Sequence, residues 1–253
     1  MANLYKKPKL TYFIIATCMI IFLVEILYGL QYGNFGDENF KDALSNLFKE
    51  YGFSLQNLLN GRYWTLVTSS FLHADPEHLL LNMTALFFFG KVVEMDVGRK
   101  KFIMILLASS IVGNLSFLVP SFFLGSLETV IGASGIVFGL MGTAMLIKPL
   151  EFVFFPYIIP IPLILVAVFY TLYNIAAFFL VAANIEESNI SYITHISGLA
   201  VGILFGLKEE KSKKSLIIIL FILMVLILTP FLWMLFDYLE VFNYVSVFSK
   251  FFK

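Results

Sequence analysis

Ser134 stands in Gly132-Ala133-Ser134-Gly135, at the head of an apolar segment in which Gly135, Gly139 and Gly142 fall at i, i+4 and i+7. On a helix those glycines share one face and leave it as bare backbone. In a membrane such a face admits a second helix at close range, because no side-chain bulk separates the two backbones. The serine lies where that helix begins, among amide N–H groups that lack intrahelical acceptors. Those amides and the positive end of the helix dipole suit a developing oxyanion. The chemistry on offer is nucleophilic attack on a carbonyl. Taken alone, the segment reads first as a packing seam with an incidental serine, so the nucleophile reading depends on finding a base.

His195 is the candidate base. It opens His195-Ile196-Ser197-Gly198 and shares a helix face with Gly198, Gly202 and Gly206 at i+3, i+7 and i+11. A histidine aligned with a smooth glycine face is set to be pressed against another helix, and the segment after Ser134 offers the matching face. A second polar pair, His78 and Asn82 at i and i+4, follows the helix-start signal Asp75-Pro76. With Ser134 as nucleophile, His195 takes its proton and returns it to a leaving amine. His78 and Asn82, with the Ser134 amide, supply donors to the oxyanion. No acidic residue is placed to orient His195, so the arrangement is a dyad steadied by packing, with Phe138 one turn after Ser134 offering a ring against the imidazole.

The elements that must position these groups are membrane spans. The 253 residues are 60% hydrophobic and 13% charged, with a mean hydropathy of +0.90. Soluble domains are nearer half apolar and a quarter charged, so an all-α polytopic membrane protein is expected. Apolar runs at about 10–30, 78–97, 102–121, 131–147, 157–183, 192–207 and 215–236 give seven spans for a bilayer core of ~30 Å. The first is too long for a signal peptide and lacks a cleavage site, so it is expected to be retained. The polar start and amphipathic pieces of 31–77 predict an outer interfacial loop with short helices. Most Lys and Arg, including Lys6, Lys7, Lys9, Arg99, Lys100, Lys101, Lys148 and Lys208, fall on one side, which predicts an inside N-terminus and an outside C-terminus.

Depth follows from helix rise. The intervals Ser134–Lys148 and His195–Lys208 both come to about 20 Å, and Asn82–Arg99 to about 25 Å, so all three groups lie in the outer half of the core. A helix starting at Ser134 is too short to cross, so the chain from Leu118 to Val130 is expected to enter as a loop, sheltered by protein or by a water-filled cavity. Hydrolysis needs that water.

These segments resemble the rhomboid family of intramembrane serine proteases. Gly132-Ala133-Ser134-Gly135 is similar to its GxSG, His195, Gly198 and Gly202 to its HxxGxxxG, and His73, His78 and Asn82 to its HxxxxHxxxN. Glu94 and Gly98 resemble its ExxxG, and the likeness runs from about Gly61 to Gly206. Many members read Trp-Arg in the outer loop, whereas here Trp64 precedes Thr65 and Arg62 lies upstream. The resemblance implies a Ser–His dyad open to the outer side, lateral entry of transmembrane protein substrates between the second and fifth spans, and no cofactor or metal. It also implies a six-helix core plus one C-terminal transmembrane helix (6+1), here 1–207 including the outer loop and 208–253. His73 and Glu94 read as structural, Asn114 and Asn174 as interhelix hydrogen bonds, and Glu25 has no assigned role.

Two other classes compete. A non-proteolytic rhomboid-like client-binding protein usually lacks the serine or histidine, and both are present. A small-solute transporter predicts broken helices in paired repeats, which are not evident. Zero net charge and the lack of a basic tract argue against a nucleic-acid partner. No transit peptide or lipidation motif is evident, so a prokaryotic plasma membrane is expected. Cys18 alone can form no intrachain disulfide.

Overall fold

The first apolar run forms α1 (Lys9–Gly29) in the computed structural model, which describes residues 7–124, 129–155, 159–182, 191–209 and 217. Two compact units are present, 1–212 and 213–253. The seventh span expected at 215–236 lies outside the described residues apart from residue 217, as do residues 183–190 and 237–253.

α1 is apolar on every side, and Phe13, Ile20, Leu23 and Val24 are exposed. Exposed apolar surface of this extent suits lipid and not water. Residues 31–77 contain short helices, as the amphipathic pieces predict: α2 (Glu38–Tyr51), α3 (Leu55–Leu59) and α4 (Thr65–Thr68). Asp37 caps α2 by accepting the Phe40 N–H, and Phe40, Ala43 and Leu44 form its buried face.

No Trp-Arg pair anchors this loop, and amides take that part. Asn57 Nδ2 donates to the carbonyls of Lys49 (2.9 Å) and Gly52 (2.7 Å). Asn114 Nδ2 donates to Leu66 O and to Ser69 Oγ, each at 2.9 Å. The interhelix bond expected of Asn114 is thus made between α7 and the short helix α4. Arg62 Nη1 still contributes a 3.2 Å bond to Glu50 O, while Trp64 is exposed.

The second span is a continuous rod of α5 (Pro76–Ala85), a π-helical turn (Leu86–Gly90) and α6 (Lys91–Val97). Pro76 occupies the first helical position and Asp75 caps it, accepting the His78 N–H at 2.7 Å. Gly98, at φ +81°, ends the rod in a conformation that a side chain would strain. Near that end the buried Glu94 carboxylate accepts from Leu10 N, Thr11 N and Thr11 Oγ1 at 3.0, 2.8 and 2.9 Å. It satisfies two orphan amides of the first turn of α1, which fits its structural reading. Glu94→Ala is expected to cost about 3 kcal/mol by stranding those donors. The midpoint of thermal denaturation in detergent should fall with it, and an unchanged midpoint would refute this account of the α1 anchor.

α7 (Arg99–Ser116) stops short of the expected end of the third span. The stretch Leu118–Val130, expected as a loop, instead begins as α8 (Leu118–Leu124); after residues outside the description it emerges with Val130 paired to Phe53 through bonds of 3.0 and 2.7 Å. α9 (Ser134–Ile147) then starts at the expected serine, and every residue from Gly135 to Ile147 is buried. The fifth apolar run is a correction as well. Its start holds a strand, β2 (Ile159–Pro162), paired antiparallel with β1 (Phe152–Phe155) just before the run, and α10 (Leu163–Ala182) follows. Pro160 and Pro162 hold the residues before them extended and cannot donate within a helix. α11 (Tyr192–Leu207) completes the described helices. Only α1 and Leu163–Leu180 are, among described helices, apolar over a full crossing length, and α9 and α11 are shorter.

α9 and α11 pack along the glycine faces read from the sequence. Thr143 Oγ1 shares its one hydrogen between the carbonyls of Gly139 (3.1 Å) and Gly202 (2.9 Å), satisfying its hydroxyl within the seam. α7 closes against both, with Ser116 and Ser197 hydroxyls 2.7 Å apart.

Candidate active site

A cavity of about 490 Å³ opens where the N-terminal ends of α5, α9 and α11 meet. Ser134, His195, His78 and Asn82 all line it, with Phe138 and Tyr170 on its wall. Its size falls in the range of ligand pockets and leaves room for water. The four candidates, spread over more than a hundred residues of chain, thus share one space.

Ser134 is the first residue of α9, and the turn before it is specialised. Gly132 adopts φ +113°, and a Cβ there would lie 2.7 Å from His78 Nε2. Glycine is therefore required twice, for the backbone angle and for the approach of the histidine ring. The Gly132 N–H donates to Ser69 O at 2.9 Å, which pins the turn to the outer loop and occupies that amide. The Ser134 amide remains among the orphan donors of the helix start.

His78 approaches from α5. The Ala74 N–H donates to its Nδ1 over a long 3.5 Å, so Nδ1 is the acceptor and the ring proton sits on Nε2, the atom facing Gly132. Asn82 is buried and spends one Nδ2 hydrogen on His78 O at 2.9 Å, which leaves its second for the cavity. His73 takes no part in the cavity lining. It is fully buried, its N–H donates to Glu25 Oε2 at 3.4 Å, and its Nδ1 donates to Phe71 O at 3.2 Å. Burial, reinforced by the neighbouring His78, pushes His73 down to about 4, so it is neutral near pH 7. It joins the loop before α5 to α1, in keeping with the structural reading. Glu25, which had no assigned role, is the buried acceptor on α1 that receives it.

His195 sits in the first turn of α11. Its ring lies flat on Phe138, with centroids 4.5 Å apart and planes within 8°, and Tyr192 meets it edge-on at 6.1 Å. The packing expected in place of an acid is therefore a ring stack. No hydrogen bond joins Ser134 to His195 among the described residues; catalytic bonds are often long before substrate arrives. Sequence reasoning missed the partner His195 does have: Asn174 Oδ1 of α10 lies 2.7 Å from His195 Nδ1. Among the described residues no acidic side chain lines the cavity beside His195, and Asp75 and Glu77 lie at its α5 rim.

Residues 60–212 match the family model of the rhomboid domain. The chain is 27% identical over 218 residues to rhomboid protease GlpG of Haemophilus influenzae, covering 84% of this chain and 96% of that protein. It is 26% identical over 205 residues to the mitochondrial RHOMBOID-like protein 12 of Arabidopsis thaliana, covering 75% and 60% respectively. Against rhomboid protease GluP of Bacillus subtilis it is 33% identical over 140 residues, covering 55% of this chain and 24% of the relative. The chain thus spans nearly all of the first of these, 60% of the second and about a quarter of the third.

Proposed function

The chain belongs to the rhomboid family of membrane proteins, and from that premise we propose that it is an intramembrane serine endopeptidase that cuts membrane-protein substrates within or near their transmembrane segments. The observation that carries this reading is a serine at a helix start and a ring-stacked histidine facing one cavity. Ser134 Oγ attacks the scissile carbonyl carbon while His195 Nε2 takes its proton. The oxyanion receives the Ser134 N–H, the free Asn82 Nδ2 hydrogen and the His78 Nε2 hydrogen. His195 then protonates the leaving amine, which departs and leaves an ester on Ser134. A water, deprotonated by His195, attacks that ester, releases the new carboxyl terminus and restores the serine. No cofactor enters.

On this reading residues 1–207 are the catalytic core of six spans, and 208–253 adds a charged linker and a seventh. The N-terminus faces the cytoplasm of a prokaryote and the cavity opens outward. A substrate helix enters between the second and fifth spans and unwinds locally, so helix-weakening residues near the cut are expected.

The test is the purified chain in liposomes with a single-span substrate, read by gel and by mass of the fragments. Two fragments divided in or beside the span support the proposal. Intact substrate that co-purifies with the wild type would replace it with client binding. Asn82→Ala and His78→Ala are each expected to lower kcat by about 10²–10³-fold, since each removes a donor that strengthens only in the transition state. A rise in KM at constant kcat would instead place these groups in substrate binding.

A further inference from the structure

His195 Nδ1 is 2.7 Å from Asn174 Oδ1, and the network around Asn174 settles where the proton lies. The other end of the Asn174 amide is 2.8 Å from Tyr170 O. A backbone carbonyl only accepts, so the amide nitrogen must face it, and the amide oxygen must then face His195. An amide oxygen also only accepts, so the proton of that bond belongs to Nδ1. A neutral imidazole carries one N–H, and Nε2 is left with its lone pair.

We propose that Asn174 is the positioning residue of this site, holding His195 in the tautomer whose Nε2 accepts the Ser134 proton. This rests on the serine-protease reading of the cavity. The division of labour is geometric. The Phe138 stack sets the plane of the imidazole but leaves it free to turn within that plane and to flip. The Asn174 bond stops both motions. Asn174 is only 2% exposed and lies on α10, a different helix from either member of the dyad, so its hold on His195 depends on how α10 packs against α11. An amide supplies the acceptor without adding a charge at membrane depth, where an ionised carboxylate would be costly. His78 across the cavity, with Tyr170 and Tyr192, also stands near the ring.

Asn174→Leu keeps the branched shape and removes the acceptor, and Asn174→Asp keeps the acceptor. With the full chain in detergent and a single-span substrate, Asn174→Leu is expected to lower kcat about 10²-fold with KM within about twofold, and Asn174→Asp to recover at least tenfold of that loss. Nitrogen NMR of histidine-labelled protein gives a readout that packing alone would not move. The wild-type His195 ring should show the Nδ1–H pattern, and Asn174→Leu should shift it toward Nε2–H. A wild-type ring protonated on Nε2 overturns the proposal whether or not any variant folds, and so does an unchanged kcat in a folded Asn174→Leu. A wild type with the Nδ1–H ring that cuts no substrate sinks the protease reading instead, and the two failures are thereby told apart.

Discussion

Ser134→Ala and His195→Ala are each expected to lower the rate of substrate cleavage by about 10⁴-fold or more, and the double variant to be no worse than either alone. The reason is that neither group works without the other. A serine hydroxyl is a weak nucleophile unless its proton leaves as the bond forms, and His195 is the one base in the cavity carried on the helix packed against α9. A fluorophosphonate that labels activated serines separates the two variants. Wild type should be labelled, Ser134→Ala not at all, and His195→Ala only slowly, because the nucleophile persists without its base. Both should keep the wild-type circular dichroism, since Ser134 makes no side-chain bond among the described residues. Cleavage by Ser134→Ala at the wild-type rate would remove the mechanism.

What could be read from the sequence was whatever one helix face displays. Glycines at i, i+4 and i+7 announce a face, and the faces of Gly135–Gly142 and Gly198–Gly206 do meet. Asp75-Pro76 announces a helix start, and α5 begins there. The level of Ser134 and His195 follows from helix rise alone, and both reach the same cavity. What escaped depends on how separate helices are turned toward each other. Asn174 was legible as an amide that needs a partner, but nothing in its spacing from His195 says that α10 aims it at that ring. Glu25 had no assigned role in the sequence, because its acceptor role needed the loop carrying His73 to fold against α1. The hairpin before α10 is a different kind of miss: Pro160 and Pro162 were visible breakers that the hydropathy of the run overrode.

Gly202→Ala is expected to lower cleavage by more than about 10²-fold without touching any reacting group. A Cβ at Gly202 would fall on the Gly139 carbonyl oxygen, with Gly139 Cα only 2.9 Å away. The positions around it are no more forgiving. A Cβ at Gly142 would lie 2.6 Å from Leu199 O, and one at Gly198 would fall on Gly135 O. These obstacles are backbone atoms, which cannot rotate aside as a side chain can, so the methyl can be housed only if α9 and α11 separate. Ser134 rides on α9 and His195 on α11, and separation by about 1 Å is enough to spoil proton transfer between them. The same displacement strains the Thr143 bond to Gly202 O and loosens the Phe138 stack, because those contacts cross the same seam. Gly206→Ala is the comparison. There the first obstacle is the Leu146 side chain at 2.9 Å, near the inner end of the seam and far from the cavity, so a smaller loss is expected. Measured side by side, equal losses would mean that the seam acts only through global stability. A graded loss that tracks distance from Ser134 would mean that the glycine faces set the spacing of the dyad itself.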